Sequence, residues 1–433
     1  MLANGAAVGA RGPHGPVRWT VRKEVQTMPG WTTFNEFLAA ALSAPPEARQ
    51  ALVDQLLAER TVFPWVSGDG ATFIFNAQRV LEPVRDVALN LDTLPGDPPF
   101  APMQNLDGTT LWYVTHYFAA DDLLDYLLAV NDPMTPLAQE KNVLARVNQF
   151  WQPDPLNPRA LVSGSSRVSV LQMPQARPFA DWSAFGVPHG VVRDIAFGVD
   201  TLESAYFDFS HRSLSVYTPP DYSPALLYPL LVVFDGQWAT GPLQLPAIAD
   251  ALIRHGRMQP SIIAMIGSAQ GPERDREYIA NDDLYRFLAE ELLPYLQTGF
   301  SIDSTRLAVG GFDVGALAAA SIGLRNPALF TRLFMISPPM GKGQNVEGVK
   351  TYLPRFTSAG SLPRRIFHAV GRYEGKARFV RPAHQLRDAL EPRARSRELA
   401  YHFAEFGSGH GLVGFKSVLP EALAWVLPGP AFS

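Results

Sequence analysis

Arg306-Leu-Ala-Val-Gly-Gly-Phe-Asp-Val-Gly-Ala-Leu-Ala-Ala-Ala320 is the stretch on which the reading of this chain turns. Apolar residues lead into a tight Gly311-Phe-Asp-Val-Gly315 corner, and an Ala-rich run with helical character leaves it. That is the layout of a nucleophile elbow, in which one side chain stands on a strained turn between a strand and a helix. Gly311 and Gly315 flank the corner because a side chain at either place would collide with the neighbouring strand or helix. The usual residue at the middle of such a corner is Ser. Here it is Asp313.

Around the corner the pattern alternates between β and α. Tyr228–Phe234 is a continuous apolar run, as expected for a strand buried on both faces, and it stops at Asp235-Gly-Gln-Trp238. Arg212–Tyr217, Ser261–Ile266, Leu333–Ser337 and Arg365–Val370 read as further strands. Helices are expected over Ile248–His255 and Leu284–Leu293, the second ending near Pro294. Repeated βα units give a three-layer α/β domain with a mostly parallel sheet, expected over residues 191–433. Functional groups in such sheets gather at the carboxyl ends of the strands, where Asp235, Asp313 and Gly371 all fall.

The N-terminal third has a different rhythm. Thr33–Arg60 shows helical spacing, broken into two helices by Pro45-Pro46. From Thr61 onward, Val62–Trp65, Ala71–Phe75, Val84–Leu91 and Thr110–Thr115 are short β-rich segments separated by Gly68-Asp-Gly70, Pro95–Pro98 and Asp107-Gly108. Residues 31–160 are therefore expected to hold two helices and a small antiparallel β-sandwich of Ig-like, early-set type, ending in an irregular, Pro-rich passage marked by Asn131-Asp-Pro133 and Asp154-Pro-Leu-Asn-Pro158, with a linker over 161–190. Residues 1–30 read as a disordered lead-in without the apolar core of a secretory signal, and Met28 could serve as an alternative start.

Composition narrows the function classes. The chain of 433 residues is 47% apolar and 18% charged, with a net charge of −4, so neither nucleic acid nor an anionic membrane is an expected partner. It has no cysteine, which removes disulfides, thiolate nucleophiles and cysteine metal sites. No apolar run approaches the length of a transmembrane helix. His189, His211 and His255 lack ligand spacing, so no metal and no cofactor is expected. The default compartment is the cytoplasm.

On this fold a catalytic triad runs in chain order nucleophile, acid, histidine. Behind Asp313 the acid candidate is Glu374, in Val370-Gly-Arg-Tyr-Glu374, and the histidine candidate is His410, in Gly407-Ser-Gly-His-Gly411. An oxyanion hole would use the backbone N–H of Val314 with one from the Gly236-Gln237 loop.

At these residues the chain resembles the enterochelin (enterobactin) esterase family, in the esterase-D-like branch of α/β-hydrolases. The pieces that carry the resemblance are Phe234–Trp238, Arg276–Asn281, Phe287–Pro294, the Gly311–Ala319 elbow, Gly371–Glu374 and Gly409-His410, in the family's order over most of residues 190–428. The resemblance implies hydrolysis of ferric catecholate siderophore esters, with Glu374 as acid and His410 as base. It places Arg276 as a cationic substrate contact, although an ion pair to Glu277 or Asp275 is the competing role for that arginine. It places Trp238 beside the substrate as well. The implied partner is a small-molecule ester.

Asp313 departs from the family's Gly-x-Ser-x-Gly-Gly pattern and resembles instead the Gly-x-Asp-x-Gly elbow of haloalkane dehalogenases and epoxide hydrolases. Three readings follow: an esterase-like hydrolase with an atypical Asp313, an inactive homologue that binds a ligand or partner, or an Asp-nucleophile hydrolase of epoxides or halides. Facing both Asp313 and Glu374, His410 is expected to hold its proton more tightly than usual.

Overall fold

A computed structural model describes residues 30–79, 82–196, 204–206, 213–342 and 347–432. The lead-in expected over residues 1–30 lies outside the described residues but for Gly30; so do Met28 and His211.

Eight strands form the large sheet: β1 (Val191–Ala196), β2 (Ser213–Thr218), β3 (Tyr228–Phe234), β4 (Ile262–Ile266), β5 (Ile302–Phe312), β6 (Phe330–Ile336), β7 (Arg365–Gly371) and β8 (Ala400–Phe406). Their order is β1-β2-β4-β3-β5-β6-β7-β8, antiparallel at β1/β2 and β2/β4 and parallel elsewhere. Side chains alternate between the two faces. Leu230, Val232 and Phe234 of β3 enter one core with Leu317 and Ala320 of helix α3 (Val314–Arg325) and with Phe287, Leu292 and Tyr352. Leu231 and Val233 enter the other, against Ile248 and Leu252 of helix α2 (Leu245–Arg254) and Leu419 and Leu423 of helix α5 (Leu412–Val426). Two further helices bear on the site: α1 (Gly236–Thr240), directly after β3, and α4 (Arg381–Arg395). Each fully buried aliphatic side chain in these cores contributes roughly 1.5–3 kcal/mol.

The helix expected to stop at Pro294 instead continues to Gly299, through a wide π turn over Phe287–Leu292. Proline lacks the N–H that an α turn would require, and it is tolerated here in the first turn of the segment that follows the π turn.

The N-terminal region begins with two helices, Phe34–Ser43 and Pro46–Glu59, the first closed by a capping box between Thr33 and Glu36. Two antiparallel sheets follow. One runs Trp65–Ser67, Gly70–Asn76, Leu111–Tyr117, Gln104–Asn105; the other runs Phe100–Pro102, Val87–Asn90, Leu123–Val130, Ser166–Gln172, Ala160–Ser163. They share one core, in which the Phe73 ring meets that of Tyr126 edge-on at 4.8 Å.

Three further expectations need correction. The strand read at Val62–Trp65 begins only at Trp65, and the one read at Val84–Leu91 is confined to Val87–Asn90. The segment read as a linker over 161–190 carries strand pairing at its start. Ser166–Gln172 pairs with Leu123–Val130, and Ala160–Ser163 folds back on it around Gly164. The alternation in Ser166-Arg-Val-Ser-Val-Leu is short and follows a Pro-rich passage, so its pairing depends on a partner strand some forty residues earlier.

Candidate active site

The elbow forms because β5 runs out at Phe312 and α3 starts at Val314, leaving Asp313 to make the turn alone with φ 49° and ψ −124°. Such a conformation costs a non-glycine residue of order 1–3 kcal/mol and persists only where its surroundings hold it. The Asp313 N–H donates to Ile336 O at 3.0 Å, and the Asp313 carbonyl accepts from Ala316 N at 3.0 Å. A Cβ at Gly311 would stand 2.3 Å from Gly315 O, and one at Gly315 would stand 2.3 Å from Asp235 Oδ2. The two glycines thus let strand, helix and the end of β3 close on one point.

Asp313, Glu374 and His410 come together at this carboxyl edge of the sheet. His410 Nε2 lies 3.4 Å from Asp313 Oδ1, and its Nδ1 lies 3.3 Å from Glu374 Oε2. Asp313 Oδ1 is buried without a well-aligned hydrogen-bond donor, so its contact with His410 is an ion pair rather than a directed hydrogen bond. The imidazole is stacked on Phe379 at 4.4 Å and meets Phe415 edge-on at 5.3 Å, yet keeps 35% of its side-chain surface open. Glu374 Oε1 accepts from the Ser337 hydroxyl and from the Gly371 N–H at 2.8 Å, which leaves Oε2 to face the ring.

Two members of the site were not foreseen, Arg274 and Ser337. Arg274 places Nε 2.7 Å from Asp235 Oδ1 and Nη2 2.8 Å from Asp235 Oδ2, while its Nη1 reaches Asp313 Oδ2 at 3.1 Å. Its guanidinium lies 4.8 Å from the centre of the Trp238 ring. Arg276, read from sequence as the cationic contact, is exposed instead, with its Nε on Pro272 O at 3.5 Å. Both arginines sit on the one short helix Pro272–Tyr278, and residues two apart face different ways. The buried Asp235 at the end of an apolar strand was the available clue, since a buried carboxylate needs a cation. Ser337, which fixes Glu374, carried no local signal beyond its place after β6.

Asp235, Arg274, Asp313, His410 and Glu374 thus alternate in sign across the site. Burial disfavours the charge on His410, but the contacts with Asp313 and Glu374 outweigh it and push the imidazole up to about 9. Burial likewise works to raise Asp313, and the contact with His410, helped by the Arg274 charge, brings its carboxyl below the usual range. Asp235 moves the other way, raised by burial in spite of Arg274. At neutral pH the site therefore holds an imidazolium against a carboxylate.

The expected oxyanion donors sit on the two neighbouring strand ends. Gly236 and Gln237 open α1 after β3, and Val314 opens α3 after β5. The Val314 N–H follows Asp313 directly at the first turn of α3. The Gln237 side chain exchanges hydrogen bonds with Ser268, its Nε2 donating to Oγ at 2.7 Å and its Oε1 accepting from N at 3.1 Å. His189 pairs with Asp250 at 3.1 Å, away from this site. Among the described residues no group of three or more His, Asp or Glu side chains is placed to hold a metal ion, and no helix is long and apolar enough to cross a membrane.

The model of the family described as "Putative esterase" matches residues 209–426, half of the chain and the whole of the segment that carries this site. The chain belongs to the putative esterase family. Ahead of that segment, a model described as "Enterochelin esterase, N-terminal" matches residues 71–182 of this esterase-family chain, which include the hairpin at 160–172. Among curated proteins, the iron(III) enterobactin esterase of Dickeya dadantii (strain 3937) is 25% identical over 434 residues, covering 91% of this chain and 96% of that one. An uncharacterized protein of Bacillus subtilis (strain 168), YjcH, is 24% identical over 230 residues, covering 50% of this chain and 91% of that one. Among solved structures, the ferric enterobactin esterase of Salmonella typhimurium superposes with a TM-score of 0.67 at 20% identity, over 86% of this chain and 98% of that one. The Shigella flexneri enterobactin esterase solved in the presence of enterobactin gives 0.66 at 22% identity, over 82% and 92%. These likenesses establish a shared esterase-like α/β-hydrolase fold.

Proposed function

We propose that this putative-esterase family member hydrolyses esters of the catecholate-siderophore type, with water taking the part that a serine hydroxyl plays at other elbows. The observation that carries the reading is the two-sided hold on Asp313: Oδ2 on Arg274 at 3.1 Å and Oδ1 on His410 at 3.4 Å. A carboxylate held at both oxygens is poorly placed to swing onto a carbonyl, and its attack on an ester would give an energetically poor anhydride. Neutral His410 can instead take a proton from water at Nε2 while the water oxygen bonds to the ester carbonyl carbon. Glu374 keeps the ring oriented through Nδ1. The N–H groups of Gly236 and Gln237 face the oxyanion, and collapse releases the alcohol, which takes the proton back from His410. Ester and water become acid and alcohol.

The siderophore substrate class is supported by the likeness to the Dickeya dadantii enzyme across 91% of this chain. We read the two N-terminal sheets as an Ig-like sandwich ahead of the hydrolase domain, with the division after Gln172, and we place the protein in the cytoplasm, where esters of imported siderophores are cleaved. Trp238, under Arg274, is the aromatic surface we assign to the substrate.

A second reading has one observation in its favour. His410 is held between Asp313 and Glu374 and pushed up to about 9, so the site has no neutral base at ordinary pH, which suits a site that binds its ligand without cleaving it. Incubating the protein with enterobactin and ferric enterobactin from pH 6 to 10, with chromatography of the products and tryptophan fluorescence for binding, separates the two. Slow cleavage that rises toward pH 9 supports hydrolysis. Binding with no cleavage at any pH supports the second reading, and absence of both overturns the substrate class.

A further inference from the structure

The loops that carry Glu374 and His410 leave adjacent strands and are tied to one another. Arg372 N donates to Phe406 O at 2.8 Å and Tyr373 N to Ser408 O at 3.1 Å. Both loops then lean on a single turn of the N-terminal region, Phe118–Leu123. From the histidine loop, Gly407 O accepts from Leu123 N at 2.7 Å, and a Cβ on Gly407 would lie 2.7 Å from Asp121 O, so the approach is close enough to require glycine. From the acid loop, the Arg372 guanidinium grips Asp121 through Nη1 at 2.9 Å and Nη2 at 2.6 Å, and Nη1 also reaches Asp122 at 3.3 Å. The Tyr373 hydroxyl donates to Asp122 Oδ2 at 2.8 Å, and the Tyr373 ring packs on the core between the two N-terminal sheets.

Asp122 is the hub of this junction. It is fully buried, and its Oδ2 also accepts from Ala119 N at 2.9 Å. A buried carboxylate costs several kcal/mol unless its lone pairs are met, and here they are met by groups one and two residues away from Glu374. Tyr373 and Glu374 are neighbours in the chain, so a shift of the Tyr373 anchor is passed directly to the backbone that carries Glu374. On the histidine side, two residues, Ser408 and Gly409, separate Gly407 from His410.

We propose that Asp122, acting through Tyr373 and Arg372, is a positioning residue for the site: the N-terminal region sets where Glu374 meets His410. The proposal rests on the reading of Glu374 and His410 as acid and base. It assigns the N-terminal sheets a part in the chemistry beyond any contact with substrate. The hydrolase half would carry the reacting groups but not, by itself, their register. A junction that served only to hold two halves together would not need to grip the acid loop at the residue before the acid.

The test uses full-length protein with labelled histidine, comparing Tyr373→Phe and Asp122→Asn with a control, Arg177→Lys. Arg177, in the segment that follows the N-terminal sheets, pairs with Glu421 of α5 and is remote in sequence from the acid loop. His410 titration is read by NMR, melting by calorimetry, and ester hydrolysis as separate kcat and KM. Tyr373→Phe, which removes one hydroxyl and keeps the ring, is expected to lower the His410 titration by at least one pH unit, because Glu374 loosens from Nδ1. Where cleavage is measurable, kcat should fall on the order of 10-fold with KM little changed, as for a misplaced catalytic group. The control should lose some stability while leaving the titration in place. A folded Tyr373→Phe with an unshifted His410 overturns the proposal, as does an equal shift in Arg177→Lys, which would mean general loosening. Because the titration needs no turnover, it decides the matter even if the protein cleaves no ester.

Discussion

Arg274 Nη1 and Asp313 Oδ2 lie 3.1 Å apart, although 39 residues separate them in the chain. Through this contact the residue at the elbow belongs to two ion pairs at once, one with Arg274 and one with His410. A serine there would have neither obligation. The substitution at the elbow therefore changes the charge balance of the whole site, and most of what can be measured follows from that.

Replacing Asp313 by Ser removes one of the two carboxylates that keep His410 charged and supplies a hydroxyl whose proton the ring can take. Asp313→Ser is expected to raise hydrolysis of p-nitrophenyl acetate and of enterobactin at pH 7.5 by about 10²–10⁴-fold, the range for a positioned general base. Equal activity in the two proteins would show that Asp313 is no obstacle.

The pH dependence has a definite sign. In the folded protein the His410 imidazole is pushed up to about 9 by its two carboxylate neighbours, above its ordinary 6.5. The ring therefore adds stability that is fully present below pH 6.5 and is lost as pH rises through about 9. The stability difference between wild type and His410→Gln should shrink between pH 6.5 and 10 in calorimetric melts. Asp313→Asn should move the NMR titration of His410 downward.

Arg274→Gln leaves the buried Asp235 without its cation and the elbow Asp313 with His410 alone. A loss of about 3–5 kcal/mol is expected in urea unfolding, the range for breaking one side of a buried pair. Arg276→Gln, on the exposed face of the same helix, should stay within about 0.5 kcal/mol of wild type. Similar losses for both would contradict the assignment of Arg274.

At the corner itself, Gly311→Ala would push a methyl group to within 2.3 Å of Gly315 O, a backbone atom with little room to retreat. The expected cost is about 1–3 kcal/mol, as for overpacking elsewhere, with a drop in any esterase activity gained by Asp313→Ser in the same protein. Denaturant titration of the single variant and an assay of the double variant check both parts.

Much of this molecule could be read from its residues in order. The strand-to-helix corner at Asp313, the buried strand Tyr228–Phe234 and the chain order of Asp313, Glu374 and His410 are written in periodicity and turn chemistry. These are properties of a few neighbouring residues, whatever lies across the fold. What the sequence could not decide were choices between equivalent local candidates. Arg274 and Arg276 share one short helix, and only the position of β3 and its Asp235 selects the first. Ser337 is an unremarkable hydroxyl until β6 and β7 are set side by side and bring it to Glu374. The hairpin at 160–172 looks like a linker until Leu123–Val130 offers it an edge. Asp122 and Arg372, 250 residues apart, meet only because two sheets of different origin are docked. In each case the deciding energy is a contact between distant segments, a buried charge finding its partner or a strand finding its register, and that contact exists only after the chain has closed on itself.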